Sequence, residues 1–180
     1  DEDFCFLFAG HWLQGNMGED RKDVGMMLKV FLESFKNIDN PPALIMKTSS
    51  AGFSVLDRRQ MIEKINMIKD DVKSDKLPNV YLLHGDLTDE EINQMYNHPK
   101  VKTHLTFTHG EGFGRPLLEA SFSGKPIIAP IATGQKDFLE KDYTIELPHS
   151  MTKVPKSAFP KGYFNPEALW ATVDYNSCLL

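Results

Sequence analysis

With 180 residues the chain is long enough for one domain, or one domain and a tail, around a substantial core. Its 41% hydrophobic and 25% charged residues exclude a disordered chain. The net charge of −5 argues against general nucleic-acid binding, which rests on massed Lys and Arg, but leaves room for a small anion held by two or three local cations.

Cys5 lies in an apolar strand pattern and Cys178 near the end, which speaks against a disulfide framework and for a reducing, cytoplasmic setting. No apolar run approaches a membrane span, and no secretory leader is visible. A buried-looking strand begins almost at Asp1, the pattern expected of a domain excised from something longer.

In chain order, Phe4 to Ala9 reads as a parallel strand covered on both faces. After a polar segment, Val24, Met27, Leu28, Phe31, Leu32 and Phe35 recur at helical spacing. Ala43 to Met46 is a second strand, and Met61, Ile62, Ile65 and Ile68 mark a helix over Asp57 to Val72. Val80 to Leu83 is a third strand; Thr88 with Glu91 forms a capping box before a helix carrying Ile92, Met95 and Tyr96. Val101 to Thr108, Pro126 to Ala129 and Tyr143 to Leu147 complete six strands, with a short helical piece after Thr133-Gly134-Gln135. Beyond Pro148 the pattern is mostly irregular, and Asn165-Pro166-Glu167 predicts the cap of a last helix carrying Leu169 and Trp170.

Regular strand–helix alternation predicts a three-layer, Rossmann-like α/β domain over residues 1–150 with a mostly parallel sheet. Residues 151–180 are expected to form a tail and helix packed on the same domain. In such sheets the ligand sits outside the carboxyl ends of the strands. The polar clusters His11 to Lys22, Lys47 to Ser50, His84 to Asp86, Thr108 to Arg115 and Ile131 to Gln135 all fall there.

The most informative stretch is Glu111-Gly112-Phe113-Gly114-Arg115-Pro116-Leu117-Leu118-Glu119. It follows a β-branched run and precedes good helix formers, so it predicts a strand, a tight loop and a helix start with Pro116 in the first turn. Free N–H groups and partial positive charge at such an end suit a phosphate. Glu119, about a turn further in, is placed to accept hydrogen bonds from hydroxyls such as those of a ribose. Arg21 and Lys22 offer fixed cations for charge growing on a departing phosphate; lying among Glu19, Asp20 and Asp23, they equally fit a solvated charge run. The six His are scattered and no metal cluster stands out, so no metal ligand is expected. His84 and His109 read as structural. A glycosidase-like use of Glu111 and Glu119 is the rival chemistry, disfavoured because a glycine-rich turn at a helix start fits a diphosphate better than a neutral ring.

Thr108-His109-Gly110-Glu111 through Ala120, followed by Gly124-Lys125-Pro126-Ile127-Ile128-Ala129, resembles the E-x7-E signature and next strand of family 4 retaining glycosyltransferases, in the C-terminal, donor-binding half of the GT-B fold. Asn79 to Gly85 resembles the strand before the base-binding loop, and Gly134 to Asp137 a later turn of that family. The resemblance implies that Glu119 binds the nucleotide ribose and Glu111 the donor sugar. The N–H groups of Phe113 and Gly114, in the loop opened by Gly112, would meet the diphosphate or sugar. It further implies that Lys22 neutralises the leaving diphosphate and that Gly85-Asp86-Leu87 borders the base. The family's Arg about five residues before that Lys is replaced by Asn16 and Met17, a gap for Arg21 and Lys47 to fill; Asp23 stands where the family prefers Gly, and Asp137 where it has Glu.

The function implied is transfer of a sugar, of hexosyltransferase type, from a nucleotide-diphosphate sugar to a carbohydrate or glycan acceptor with retention and without a cofactor. Turnover would require a preceding acceptor domain, apparently absent from this chain. The alternatives are a nucleotide-sugar-binding module without catalysis of its own and a GT-B-fold epimerase or phosphorylase fragment.

Overall fold

The computed structural model describes residues 2–13, 15–50, 52–159 and 161–179. Ten elements alternate: β1 (Cys5–Ala9), α1 (Val24–Phe35), β2 (Ala43–Lys47), α2 (Val55–Val72), β3 (Val80–Leu83), α3 (Asp89–Asn97), β4 (Val101–Leu105), α4 (Arg115–Ser121), β5 (Ile127–Ala129) and β6 (Thr144–Glu146). The six strands form one parallel sheet in the order β3-β2-β1-β4-β5-β6. This is the doubly wound, Rossmann-like arrangement that the strand–helix alternation predicts.

Successive residues of β1 point to opposite faces, so both faces must be covered. Phe8 packs with Val24, Met27, Leu28 and Leu32 of α1 and with Met61, Ile65 and Ile68 of α2. Leu7 and Ala9 pack with Tyr96 of α3 and Leu117 and Ala120 of α4 on the other face. Leu7 and Phe8 are fully buried, each worth about 1.5–3 kcal/mol over an exposed side chain. Met27 and Met61 fill the first core while Met67 is 70% exposed, so the methionines serve as packing and helix surface.

The capping chemistry is local and legible. Thr88 and Glu91 form the capping box of α3, and Ser54 accepts from the Asp57 N–H, starting α2 two residues before its expected Asp57. β4 ends at Leu105 rather than Thr108, because beyond it the chain leaves the sheet to form the site loop; Thr106 still donates to the Ile128 carbonyl. No helix among the described residues is long and apolar enough to cross a membrane.

The C-terminal region corrects the sequence expectation. Leu169 and Trp170 belong to a strand, β8 (Leu169–Val173), which pairs antiparallel with β7 (His149–Lys153). Asn165-Pro166-Glu167 is a turn into that strand, with Asn165 Oδ1 accepting from the Glu167 N–H, rather than a helix cap. A partner strand about 20 residues away, with Trp170 opposite Thr152 and the Thr152 and Thr172 hydroxyls bonded across the ladder, overrides the local helix signal. β7 also runs across residue 150, where the sequence suggests the main unit ends.

Candidate functional site

The strand order reverses between β1 and β4, so the loops leaving these two strands open a crevice at the carboxyl edge. The β1 loop carries Arg21 and Lys22, and the β4 loop carries Glu111. The backbones are tied together first: His109 N–H donates to the Arg21 carbonyl at 2.9 Å, and Thr108 Oγ1 reaches the same oxygen at 3.3 Å. The side chains then converge. Glu111 accepts from Lys22 Nζ at 2.5 Å, from Arg21 Nη1 at 2.9 Å and from Thr108 Oγ1 at 2.8 Å.

Lys22 is therefore buried against an acid 89 residues away, not paired with its neighbours Glu19, Asp20 and Asp23 in a solvated run. Burial lowers the Lys22 ammonium despite Glu111 beside it. Burial also works to raise the Glu111 carboxyl, but Lys22, Thr108 and Arg21 outweigh it and leave Glu111 below the usual carboxylate range. One carboxylate shared by two cations leaves net positive charge at the crevice.

The loop after Glu111 is braced from behind by residues 133–135, within a 3-10 turn, Thr133–Asp137. Glu111 N–H donates to Thr133 Oγ1 at 2.9 Å, and Gly134 N–H donates to the Glu111 carbonyl at 3.0 Å. Thr133 has φ of 56°, a costly conformation for a β-branched residue that this bracing holds in place. A methyl group on Gly134 would fall 2.1 Å from the Gly112 carbonyl oxygen, so only glycine permits the approach. Gly112 and Gly134 thus support the loop rather than line the crevice. At the start of α4, Gly114 adopts φ of 91° and no side chain caps the helix.

The crevice has a volume of about 480 Å³, and its walls include Arg21, Lys22, Lys47, Glu111, Phe113 and Glu119. Gly114 lines it as well. Glu119 is partly exposed and accepts from Arg115 Nε at 2.6 Å, so Arg115 is engaged by an acid of its own helix. Buried Tyr96 lies beside Glu119: burial, then the Glu119 charge, raise its phenol. Lys47 Nζ donates to the Gly85 carbonyl at 2.7 Å and lies 5.3 Å from the ring centre of Phe53, a wall residue that sequence reasoning did not single out. Gly85, Asp86 and Leu87 stand beside the crevice, joined to it through Lys47, and burial lowers the Lys47 ammonium against the pull of Asp86. A larger hollow at the opposite, amino edge of the sheet is bordered by Asp3 and Asp39 and is the wrong sign for an anion.

His84 and His109 are both engaged in contacts within the fold. His84 Nε2 lies 2.7 Å from Asp57 Oδ2, and Ser50 Oγ is bonded to Asp57 as well. His109 is fully buried between carbonyl groups. Among the described residues no group of three or more His, Cys, Asp or Glu is placed to hold a metal ion, and Cys5 and Cys178 are free.

No protein-family model matches the chain, and comparison with curated proteins finds no match. Solved structures do resemble it. The C-terminal domain of a glycosyl transferase group 1 family protein (LpcC) from Francisella tularensis has a TM-score of 0.54 at 14% identity, over 81% of this chain and 68% of that one. Anabaena Alr3699/HepE, solved in complex with UDP-glucose, has a TM-score of 0.51 at 15% identity, over 79% of this chain and 35% of that one. The lipopolysaccharide outer core galactosyltransferase WaaB gives 0.51 at 18% identity, over 78% of this chain and 34% of that one. At these identities the likeness is one of fold: the chain has the Rossmann-like architecture of a GT-B glycosyltransferase domain and spans about a third of the length of the last two proteins.

Proposed function

We propose that this chain is the donor-binding domain of a retaining glycosyltransferase related to family 4, taking a nucleotide-diphosphate sugar and serving transfer of a hexose to a carbohydrate or glycan acceptor. The observation that carries this reading is the convergence of Arg21, Lys22 and Glu111, with Glu119, on one crevice at the strand-order reversal. Glu111 holds the two cations in place, and a diphosphate entering the crevice meets their surplus positive charge. Bond cleavage at the anomeric carbon leaves negative charge on the departing phosphate, which cations already oriented stabilise without reorganisation. Lys22 and Arg21 supply that role without a metal in this reading. Glu119, further along α4, receives the ribose hydroxyls; Glu111 faces the sugar; the loop 85–87 borders the base. An acceptor domain preceding this one would complete the cleft, and two free thiols agree with a cytoplasmic setting.

A nucleotide-sugar-binding module without turnover of its own is the second reading, and it draws on the same crevice with its two cations and Glu119. Calorimetric titration with UDP, GDP and ADP tests the common core of both. Binding tighter than about millimolar, −4 kcal/mol, is expected for one of the three; no binding to any removes both readings. Release of free sugar from a labelled donor then separates catalysis from binding.

A further inference from the structure

Behind the crevice lies a second polar cluster that the reaction chemistry above does not use. Asp23 is fully buried, and its φ of 50° lies in the left-handed region, which Asp tolerates better than most residues. This is the position where the resembled family prefers glycine. Asp23 Oδ2 accepts from the Tyr175 hydroxyl at 2.6 Å, while Oδ1 has no partner. Tyr175 lies just past β8, after Asp174, and stacks on Phe107, ring centres 6.2 Å apart. His109 Nε2 stands 3.8 Å from Asp23 Oδ2.

His109 makes the second link. Its ring nitrogens lie 2.6 Å from the Ala171 carbonyl and 3.1 Å from the Gly18 carbonyl, and its ring stacks on Trp170 at 3.9 Å. Its own carbonyl accepts from the Ala171 N–H at 2.9 Å, and its N–H holds the Arg21 carbonyl at 2.9 Å. The segment 18–23 is therefore gripped twice, at Arg21 through the His109 N–H, itself tied to β8 by the Ala171 N–H, and at Asp23 through the Tyr175 hydroxyl. Between these grips the Lys22 N–H donates to Asp20 Oδ1 at 3.1 Å. A buried carboxylate with one oxygen unpartnered is a poor way to add stability. Its geometry instead places the Arg21–Lys22 backbone over Glu111.

We propose that Tyr175 and His109 are positioning residues that make the β7–β8 hairpin part of the anion site, holding Arg21 and Lys22 where a nucleoside diphosphate meets them. The inference rests on the donor-binding reading for its ligand, but its mechanical half does not.

The test uses Tyr175→Phe, which keeps the ring stack and removes the hydroxyl, and Asp23→Asn as a second variant. UDP and uridine are titrated into wild type, Tyr175→Phe, Lys22→Ala and the Tyr175→Phe/Lys22→Ala double variant. Tyr175→Phe should weaken UDP about tenfold, the equivalent of one buried hydrogen bond, and leave uridine within about twofold. In the Lys22→Ala background the UDP loss should shrink, since the two residues act through one contact. Equal losses for UDP and uridine, or the same UDP loss in both backgrounds, would overturn the proposal. Amide exchange supplies the ligand-independent arm: Tyr175→Phe should speed exchange at Lys22 and His109 and leave β2 unchanged, whereas Asp23→Asn, whose amide oxygen still accepts from Tyr175, should not speed it. Unchanged exchange at both sites in Tyr175→Phe overturns the positioning role whatever the ligand data. Faster exchange in a protein that binds no UDP keeps that role and removes the donor reading instead.

Discussion

Lys22 Nζ lies 2.5 Å from Glu111 Oε1, with side chains 9% and 7% exposed, and this buried pair joins the two loops at the sheet's strand-order reversal. Neither charge can be understood alone. Removing one partner of a buried pair strands the other in a poorly solvating environment, a far larger effect than losing a surface ion pair.

Lys22→Ala should therefore lose stability by about 2–4 kcal/mol, less than a fully isolated pair would because Arg21 and Thr108 still serve Glu111. It should also weaken diphosphate binding while sparing the nucleoside. Denaturant melts and paired UDP and uridine titrations check both parts. Equal loss of the two ligands would argue against a phosphate role for Lys22.

Glu119→Ala should weigh more on binding than on folding. Arg115 is an exposed neighbour on the same helix, but the buried Tyr96 hydroxyl also bonds Glu119, so stability should fall by about 1–2 kcal/mol. Nucleotide affinity should fall by about 1.5–3 kcal/mol for each hydrogen bond lost to the ribose. An unchanged affinity would remove Glu119 from the site.

Gly134→Ala should lose about 1–3 kcal/mol and loosen the Glu111 loop, because its methyl group meets backbone that cannot swing aside. Gly112→Ala is the control: nothing lies within 4 Å of the added carbon, and stability should stay nearly unchanged. Similar melting curves for the two variants would contradict the bracing described for residues 133–135.

The buried acids behind the site predict a pH dependence. Burial pushes Asp23 up to about 7 against the pull of Tyr175, and burial followed by Asp23 pushes Asp20 up to about 6. The folded protein therefore holds protons that the unfolded chain releases near pH 4. Their stabilising contribution is fully present below about pH 4 and is lost as pH rises through 6 and 7. Asp23→Asn should flatten that decline and be more stable than wild type near pH 8, by about 1.5 kcal/mol or more. Denaturant melts across about pH 4.5 to 8 check it, and a wild type that gains stability relative to Asp23→Asn as pH rises would refute it.

Much of this protein was legible because its signals are local. The stripe Val24, Met27, Leu28, Phe31 and Leu32 defined α1, and the Thr88–Glu91 spacing defined the start of α3, since each depends on residues within a turn or two. Alternating strands and helices then determined a parallel sheet and the edge at which polar residues gather.

Pairing across the fold was decided by tertiary structure alone. Lys22 has three acids as near neighbours in sequence, yet it bonds Glu111, because chain crossover brings the β1 and β4 loops together and burial rewards a matched charge. Leu169 to Val173 reads locally as a helix and becomes a strand, because β7 offers it a ladder and His109 offers Trp170 a stacking partner. Asp23 finds Tyr175 across 152 residues. Periodicity reports what a segment buries; which distant group it meets is settled only when the whole chain has folded.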